Sequence, residues 1–215
     1  MPIVGGRRGR AVSHATLDVL HPIAHNLTAG DLDSCISLEK DAFQAGHRHH
    51  PSHIQYCLSH CSAISLGLFT STHEAMSTAT YQYARSPDSF EPERKAALVA
   101  HIIATKTTNS ALADQDLQPG GHTEEGRTIV IQSFGVLLAY RQNGLGSMLL
   151  NSYIQRVREA DCAERIVVLA NEELIKFYQG LGFVMVGDSK VTSTTDHWYD
   201  MVIEMKNVKS AEKAS

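Results

Sequence analysis

The stretch Arg141-Gln142-Asn143-Gly144-Leu145-Gly146-Ser147 stands between an apolar run, TIVIQSFGVLL, and an amphipathic run, LGSMLLNSYIQRVREA. Glycines at 144 and 146 let a ligand approach the main chain closely. Backbone N–H groups at a helix start, backed by about half a positive charge, attract anions such as phosphate. A turn that simply needs glycine would look the same, so the loop alone leaves both readings open. Two nucleotide signatures are excluded. No Gly-Lys-Ser/Thr follows, as a P-loop requires, and the third glycine of the dinucleotide fingerprint is missing. Farther on, Asn171 opens NEELIKFYQGLGF, which carries Phe177 and Tyr178 ahead of Gly180. By its spacing alone Tyr178 is a core tyrosine at helical spacing with Leu174 and Phe177.

A second chemically dense stretch is HRHHPSHIQYCLSHC, with His47, His49, His50, His53, Cys57, His60 and Cys61. His53, Cys57 and Cys61 would share one helix face, a metal-like arrangement, but no finger spacing is present and no metal is expected. Glu39, Glu91, Glu93, Glu124 and Glu125 could suit a polycation or simply be solvated.

These groups need elements to hold them. A short strand is expected near Pro22–Asn26. TAGDLDSCISLEKDAF reads as a helix capped by Thr28 or Asp31, with Leu32, Cys35, Ile36, Glu39 and Phe43 at helical spacing. SHIQYCLSHC reads as a short helix, SAISLGLFTS as a strand, and 72–95 as a polar insertion. KAALVAHIIATK, TIVIQSFGVLL and ERIVVLA are buried strands, and LGSMLLNSYIQRVREA is a helix between the last two. NEELIKFYQGLGF is a short helix ending near Gly180, and FVMVGDSK and HWYDMVIEM close as strands. The pattern predicts a mixed α/β (α+β) sheet covered by helices, spanning 21–207, between flexible tails at 1–20 and 208–215.

The chain has 215 residues, enough for one domain with a real core, and its formal charge of −4 argues against general nucleic-acid binding. No apolar run reaches membrane-spanning length and the basic N-terminus has no secretory h-region, so no membrane association is expected. Cys35, Cys57, Cys61 and Cys162 are few for a disulfide framework, which predicts a reducing, cytoplasmic location.

Arg/Gln-x-x-Gly-x-Gly/Ala after a strand, followed by Asn at a helix start and Phe-Tyr-x-x-x-Gly-Phe, resembles the GNAT acetyltransferases. LEKDAF, SAISLGLF, AHIIATK, PGGH, RQNGLGSMLL and FYQGLGFVMVG are similar to the arylalkylamine (serotonin) N-acetyltransferases, the fungal and microbial ones especially. The similarity runs from about residue 28 to 205. It implies a mostly antiparallel twisted sheet with two parallel strands, 128–138 and 165–170, splaying apart around acetyl-CoA. The backbone of Phe134, Gly135 and Val136 would pair with pantetheine. The N–H groups of Asn143, Gly144, Leu145, Gly146 and Ser147 would hold the pyrophosphate, flanked by Arg141 and Gln142. Ser147 could cap the helix, and Asn171 would cap the next one and reach the cofactor. Tyr178 would be the general acid.

An alkylamine has a pKa near 10 and must lose a proton before attacking. Vertebrate members feed a water chain through a His-x-His on the strand, but Val130 and Gln132 occupy those positions here. Gln132 could hold a water, and Glu39, His101 and His122 are the other candidates; a desolvated site could also manage without a dedicated base. Phe43, Pro51, Ile54, Leu58 and Phe134 would wall an aromatic acceptor. The resemblance implies direct transfer to a small primary amine in a ternary complex, by a monomer or weak dimer. Polyamines, a protein lysine or N-terminus, and a non-catalytic CoA-binding module are the alternatives.

Overall fold

The computed structural model describes residues 22–70, 81–84, 94–192 and 197–205. The tails predicted at 1–20 and 208–215 lie outside them. The strands are β1 Ile23–Asn26, β2 Leu66–Thr70, β3 Tyr81–Ala84, β4 Arg94–Thr107, β5 Thr128–Val136, β6 Arg165–Ala170, β7 Val184–Asp188 and β8 Tyr199–Glu204. The helices of two turns or more are α1 Leu32–Ala42, α2 Pro51–His60, α3 Leu145–Ala160 and α4 Glu172–Gln179. One sheet runs β1-β2-β4-β5-β6-β8-β7, with β3 paired to β4 outside that path. The segment read as a polar insertion therefore contains a strand.

Among the described residues every strand pairing is antiparallel except β5–β6. Parallel neighbours need a crossover, and α3 supplies it. Leu145, Leu149, Leu150, Tyr153, Ile154 and Val157 form its buried stripe and pack on one sheet face with Ile129, Ile131, Ile166, Val168, Met201 and Ile203. On the opposite face, α1 and α2 bury Leu38, Ala42, Ile54 and Leu58 against Leu98 and Ile103. A third, smaller cluster on that face joins Leu112, Val130, Val167 and Val191. Cover on both faces explains why β4, β5 and β6 read as near-continuous apolar runs.

Local chemistry sets the element ends. Thr28 opens a single tight turn and Asp31 opens α1, its carboxylate accepting from the Thr28 N–H at 2.7 Å and hydroxyl at 2.9 Å. Pro51 is the first residue of α2, where its missing N–H costs nothing. Residues 62–64 form a turn, so β2 is shorter than the strand predicted over 62–71. The strand predicted over 128–138 stops at Val136, because Leu138–Tyr140 curl into another turn. No described helix is long and apolar enough to cross a membrane.

Candidate functional site

The β5–β6 ladder pairs Thr128 with Arg165 and ends at Ile131 with Val168. The β4–β5 ladder shifts register at the same level: Ile103 faces Ser133 and Ala104 faces Ile131, which leaves Gln132 as an extra residue on β5. A bulge bends its strand and sharpens the local twist. Here it turns β5 away from β6, so Ser133–Val136 stay bonded to β4 on one edge and have no β6 partner on the other. An extended ligand segment with amide groups can pair with that edge.

At the top of β5 the chain passes through Gln142 at φ 62° and Gly144 at φ 79° into α3. A non-glycine residue in the left-handed region is held there by its surroundings, and such positions gather at ligand loops. Met148 N–H makes the first helical bond, to the Gly144 carbonyl at 3.0 Å. The N–H groups of Leu145, Gly146 and Ser147 therefore have no acceptor within the helix, and no acidic residue occupies its first turn. A Cβ on Gly146 would come within 3.4 Å of Phe134 and 3.5 Å of Val136, filling the space between this loop and the open edge. The loop fits an anionic, extended ligand such as the pyrophosphate and pantetheine of CoA. Gly144 opens α3, and Ser147, expected as a possible cap, is its third residue instead. Arg141 donates from Nε to the Val136 carbonyl at 3.0 Å and from Nη2 to the Ala42 carbonyl at 2.6 Å, tying the end of β5 to the end of α1.

Asn171 caps α4 as expected, its side-chain oxygen accepting from the Leu174 N–H at 3.2 Å. That fixes Tyr178 on the α3 side of the sheet, in ring contact with Phe134, Phe177 and Phe183. Burial pushes the phenol well above its ordinary value, so it keeps its proton at neutral pH and can only donate it. Phe134 stacks on Phe177 at 5.9 Å. It therefore lies on the opposite face from Phe43 and does not form one wall with it, contrary to the expectation from sequence.

The α1 face carries a polar cluster. Glu39 is 2 % exposed, and His101, fully buried on β4, places Nε2 3.2 Å from its Oε1 and 3.0 Å from Ser133 Oγ. The Ser133 hydroxyl donates to the same carboxylate oxygen. Burial raises the Glu39 pKa, but hydrogen bonding and charge from His101, with help from His49 and Ser133, bring it below the ordinary carboxylate range. The other Glu39 oxygen accepts from the His49 N–H at 3.1 Å. His49 Nε2 donates to the carbonyl of Gln132, the bulge residue, at 2.7 Å. The His49 and His53 rings stack at 4.7 Å and 17°. Burial, then the charge of His49, lowers His53 to about 4. The Gln132 side chain donates to Thr105 Oγ1 and the Asp116 carbonyl, each at 2.7 Å.

His122 belongs elsewhere. It accepts from the Lys106 N–H at 3.1 Å and donates to Glu124 at 3.0 Å. Lys106 pairs with Ile129, three residues below Gln132, or about 10 Å along the strand. Of the proposed acceptor walls, Phe43 packs over Gly135, whereas Pro51 is exposed. Glu91 and Glu93 lie outside the described residues. Cys35, Cys57 and Cys61 are buried thiols whose pKa values burial raises, to about 12 for Cys57 and Cys61. They are not ionised at neutral pH. No group of three metal-ligating side chains occurs among the described residues.

Among the described residues the buried His101 Nδ1, Trp198 Nε1 and Asp200 Oδ1 have no hydrogen-bond partner, and the buried His53 Nε2 and Gln132 Oε1 have none beyond the contact of His53 with the Gln132 side chain. Met201 and Ile203 point into the α3-side core, so by alternation Asp200 and Trp198 face the other way, with His53, His101 and Gln132. Leu169 pairs with Asp200 one step above the last β5–β6 pair, so Gln132, Leu169 and Asp200 lie level across three strands. The His47 and Trp198 rings meet edge-on at 6.1 Å over this side. Unpaired polar atoms in such number mark a place for a polar guest. Sequence reasoning missed Ser133, Trp198 and Asp200, since only the bulge and the strand pairings bring them here.

Residues 65–183 match the profile of the acetyltransferase (GNAT) family. The serotonin N-acetyltransferase of Mesocricetus auratus is 27% identical over 169 residues, covering 77% of this chain and 69% of that protein. The Macaca mulatta serotonin N-acetyltransferase is 24% identical over 172 residues, covering 77% and 70%. Among solved structures, the loading GNATL domain of CurA from Lyngbya majuscula superposes with a TM-score of 0.65 at 14% identity, over 86% of this chain and 98% of that one. Arabidopsis thaliana NAA60 in complex with acetyl-CoA gives 0.58 at 16% identity, over 85% and 99%.

Proposed function

Because the chain belongs to the acetyltransferase (GNAT) family, we propose that it transfers the acetyl group of acetyl-CoA to the nitrogen of a small primary amine, with arylalkylamines as the first substrate class. One observation carries the reading. The opening of β5 from β6 at Ile131 and Val168 is flanked on one face by a glycine-rich helix start and a protonated phenol. On the other face lie buried polar atoms without partners.

The Asn143–Ser147 backbone holds the pyrophosphate, and the free edge of Phe134, Gly135 and Val136 receives the pantetheine. Acetyl-CoA supplies an activated acyl group at the opening. Tyr178 gives its proton to the departing sulfur, a step worth roughly 10²–10⁴-fold where a general acid is well placed. The arylalkylamine assignment draws on the serotonin N-acetyltransferase relatives and on Phe43, which offers an aromatic wall beside Gly135. The chain acts in a direct ternary complex, since the buried thiols near the acceptor side stay protonated. A peptide acceptor is the second reading, because another protein of this fold, Arabidopsis thaliana Naa50, binds the bisubstrate analogue CoA-Ac-MVNAL. The His47–Trp198 contact over the acceptor side favours a small amine instead.

The test is thiol release from acetyl-CoA with tryptamine, serotonin, phenylethylamine, spermidine, putrescine and a short peptide. Turnover with the aryl amines is expected. Turnover confined to the peptide would replace small amines by protein acceptors.

A further inference from the structure

We propose that His49, in the loop between α1 and α2, is the group that takes the proton from the acceptor ammonium, in place of histidines on β5. This inference rests on the acetyl-transfer reading above. Three observations carry it. First, His49 reaches the main chain at the point where the sheet opens: its Nε2 is 2.7 Å from the carbonyl of Gln132, the bulge residue and the first one beyond the β5–β6 pairing. Second, a carbonyl only accepts, so Nε2 carries the hydrogen, and Nδ1 of the neutral ring is left with a lone pair. Third, the neighbours suit a ring that gains a proton. Glu39 Oε2 accepts from the His49 backbone N–H at 3.1 Å, which keeps its carboxylate, ionised below the ordinary range, close enough to interact electrostatically with the ring. His53 stacks on the ring from α2 and remains neutral at physiological pH, so it adds no opposing charge.

The titratable groups packed around His49 are Glu39 from α1, His53 from α2 and, through Glu39, His101 from β4. Asp116 presents its carbonyl to Gln132, while its carboxylate is occupied by Thr107, Asn109 and the Ala113 N–H. Tyr178 and His49 thus stand on opposite faces of the opening, the proton donor on the α3 side and the acceptor on the α1 side. The balance closes. One ammonium proton passes to His49 Nδ1 and on to solvent. The nitrogen bonds the acetyl carbon as the carbon–sulfur bond breaks, and the sulfur takes the Tyr178 proton. The second nitrogen proton restores the phenol. The net products are the amide, the CoA thiol and one proton.

The experiment is the pH dependence of kcat/KM for the wild type, His49→Gln and His49→Ala with an aryl amine that the wild type turns over. Glutamine retains a donor for the Gln132 carbonyl but takes up no proton. The wild type should plateau well below the pKa of the amine. His49→Gln should lose about 10²-fold or more at neutral pH. Its remaining rate should climb about tenfold per pH unit, following the free-base fraction of an amine with a pKa near 10. Acetyl-CoA affinity should stay at the wild-type value, and added imidazole should restore part of the His49→Ala rate. A plateau retained by His49→Gln would overturn this assignment alone. Absence of amine-dependent thiol release by the wild type would overturn the acetyl-transfer reading, and this inference with it.

Discussion

His53 gives the sharpest test of the energetics of the acceptor side. Its side chain is 5 % exposed, and its pKa falls from an ordinary 6.5 to about 4, first through burial and then through the charge of His49. The unfolded chain binds a proton at His53 as the pH drops through 6.5, while the folded chain resists until about 4. Stability is therefore full above 6.5 and declines as the pH falls through this window. At 1.36 kcal/mol per pKa unit, going from about pH 7 to about pH 5 removes about 2 kcal/mol in the limit of no screening, and residual solvent contact brings this to about 1–2 kcal/mol. Glu39, whose pKa is lowered from 4.5, loses its contribution only at more acid pH and stays out of this window. The assay is urea unfolding of the wild type and His53→Phe at the two pH values. Phenylalanine keeps a ring against His49 and does not titrate. The wild type should lose the stated amount and His53→Phe should lose correspondingly less. Equal losses in both proteins would refute the assignment of this acid sensitivity to His53.

Three further outcomes follow from the geometry. Gly135→Ala places a Cβ 2.6 Å from Leu38 Cδ2 and 3.2 Å from Phe43, so it should destabilise the fold by about 1–3 kcal/mol, read as a drop in the unfolding midpoint. Arg141→Ala strands the Val136 and Ala42 carbonyls, and should cost about 1–3 kcal/mol of stability together with weaker acetyl-CoA binding by titration calorimetry. Tyr178→Phe should lower kcat by roughly 10²-fold or more and leave acetyl-CoA affinity unchanged.

Helix α3 was legible to the residue, Leu145–Ala160, because a glycine start and a stripe at 3.6-residue spacing coincide. The buried strands were legible from their apolar runs, and Asn171 from its capping chemistry. The bulge at Gln132 was not. TIVIQSFGV reads on paper as one uninterrupted strand, and one extra residue moves every later side chain to the other face. That shift turns Ser133 toward Glu39 and Phe134 toward Tyr178, which is why Phe134 does not join the wall its sequence position suggests. His122 misleads for a related reason: distance along a loop says little about which ladder step the loop returns to, and it returns beside Lys106. His49 stands in a visible histidine cluster, but nothing in the sequence distinguishes it from His47 or His50 before the loop folds onto the Gln132 carbonyl. The partnerless atoms of Trp198 and Asp200 depend on strand pairing far along the chain.

The central claim is direct acetyl transfer at the opening between β5 and β6. Initial rates of thiol release, measured while acetyl-CoA and an aryl amine are varied together, test it most directly. The account predicts saturation in both substrates and double-reciprocal lines that intersect, as a ternary complex requires. Parallel lines would mean an acetylated enzyme intermediate, and no amine-dependent release would mean no transfer; either result would contradict it.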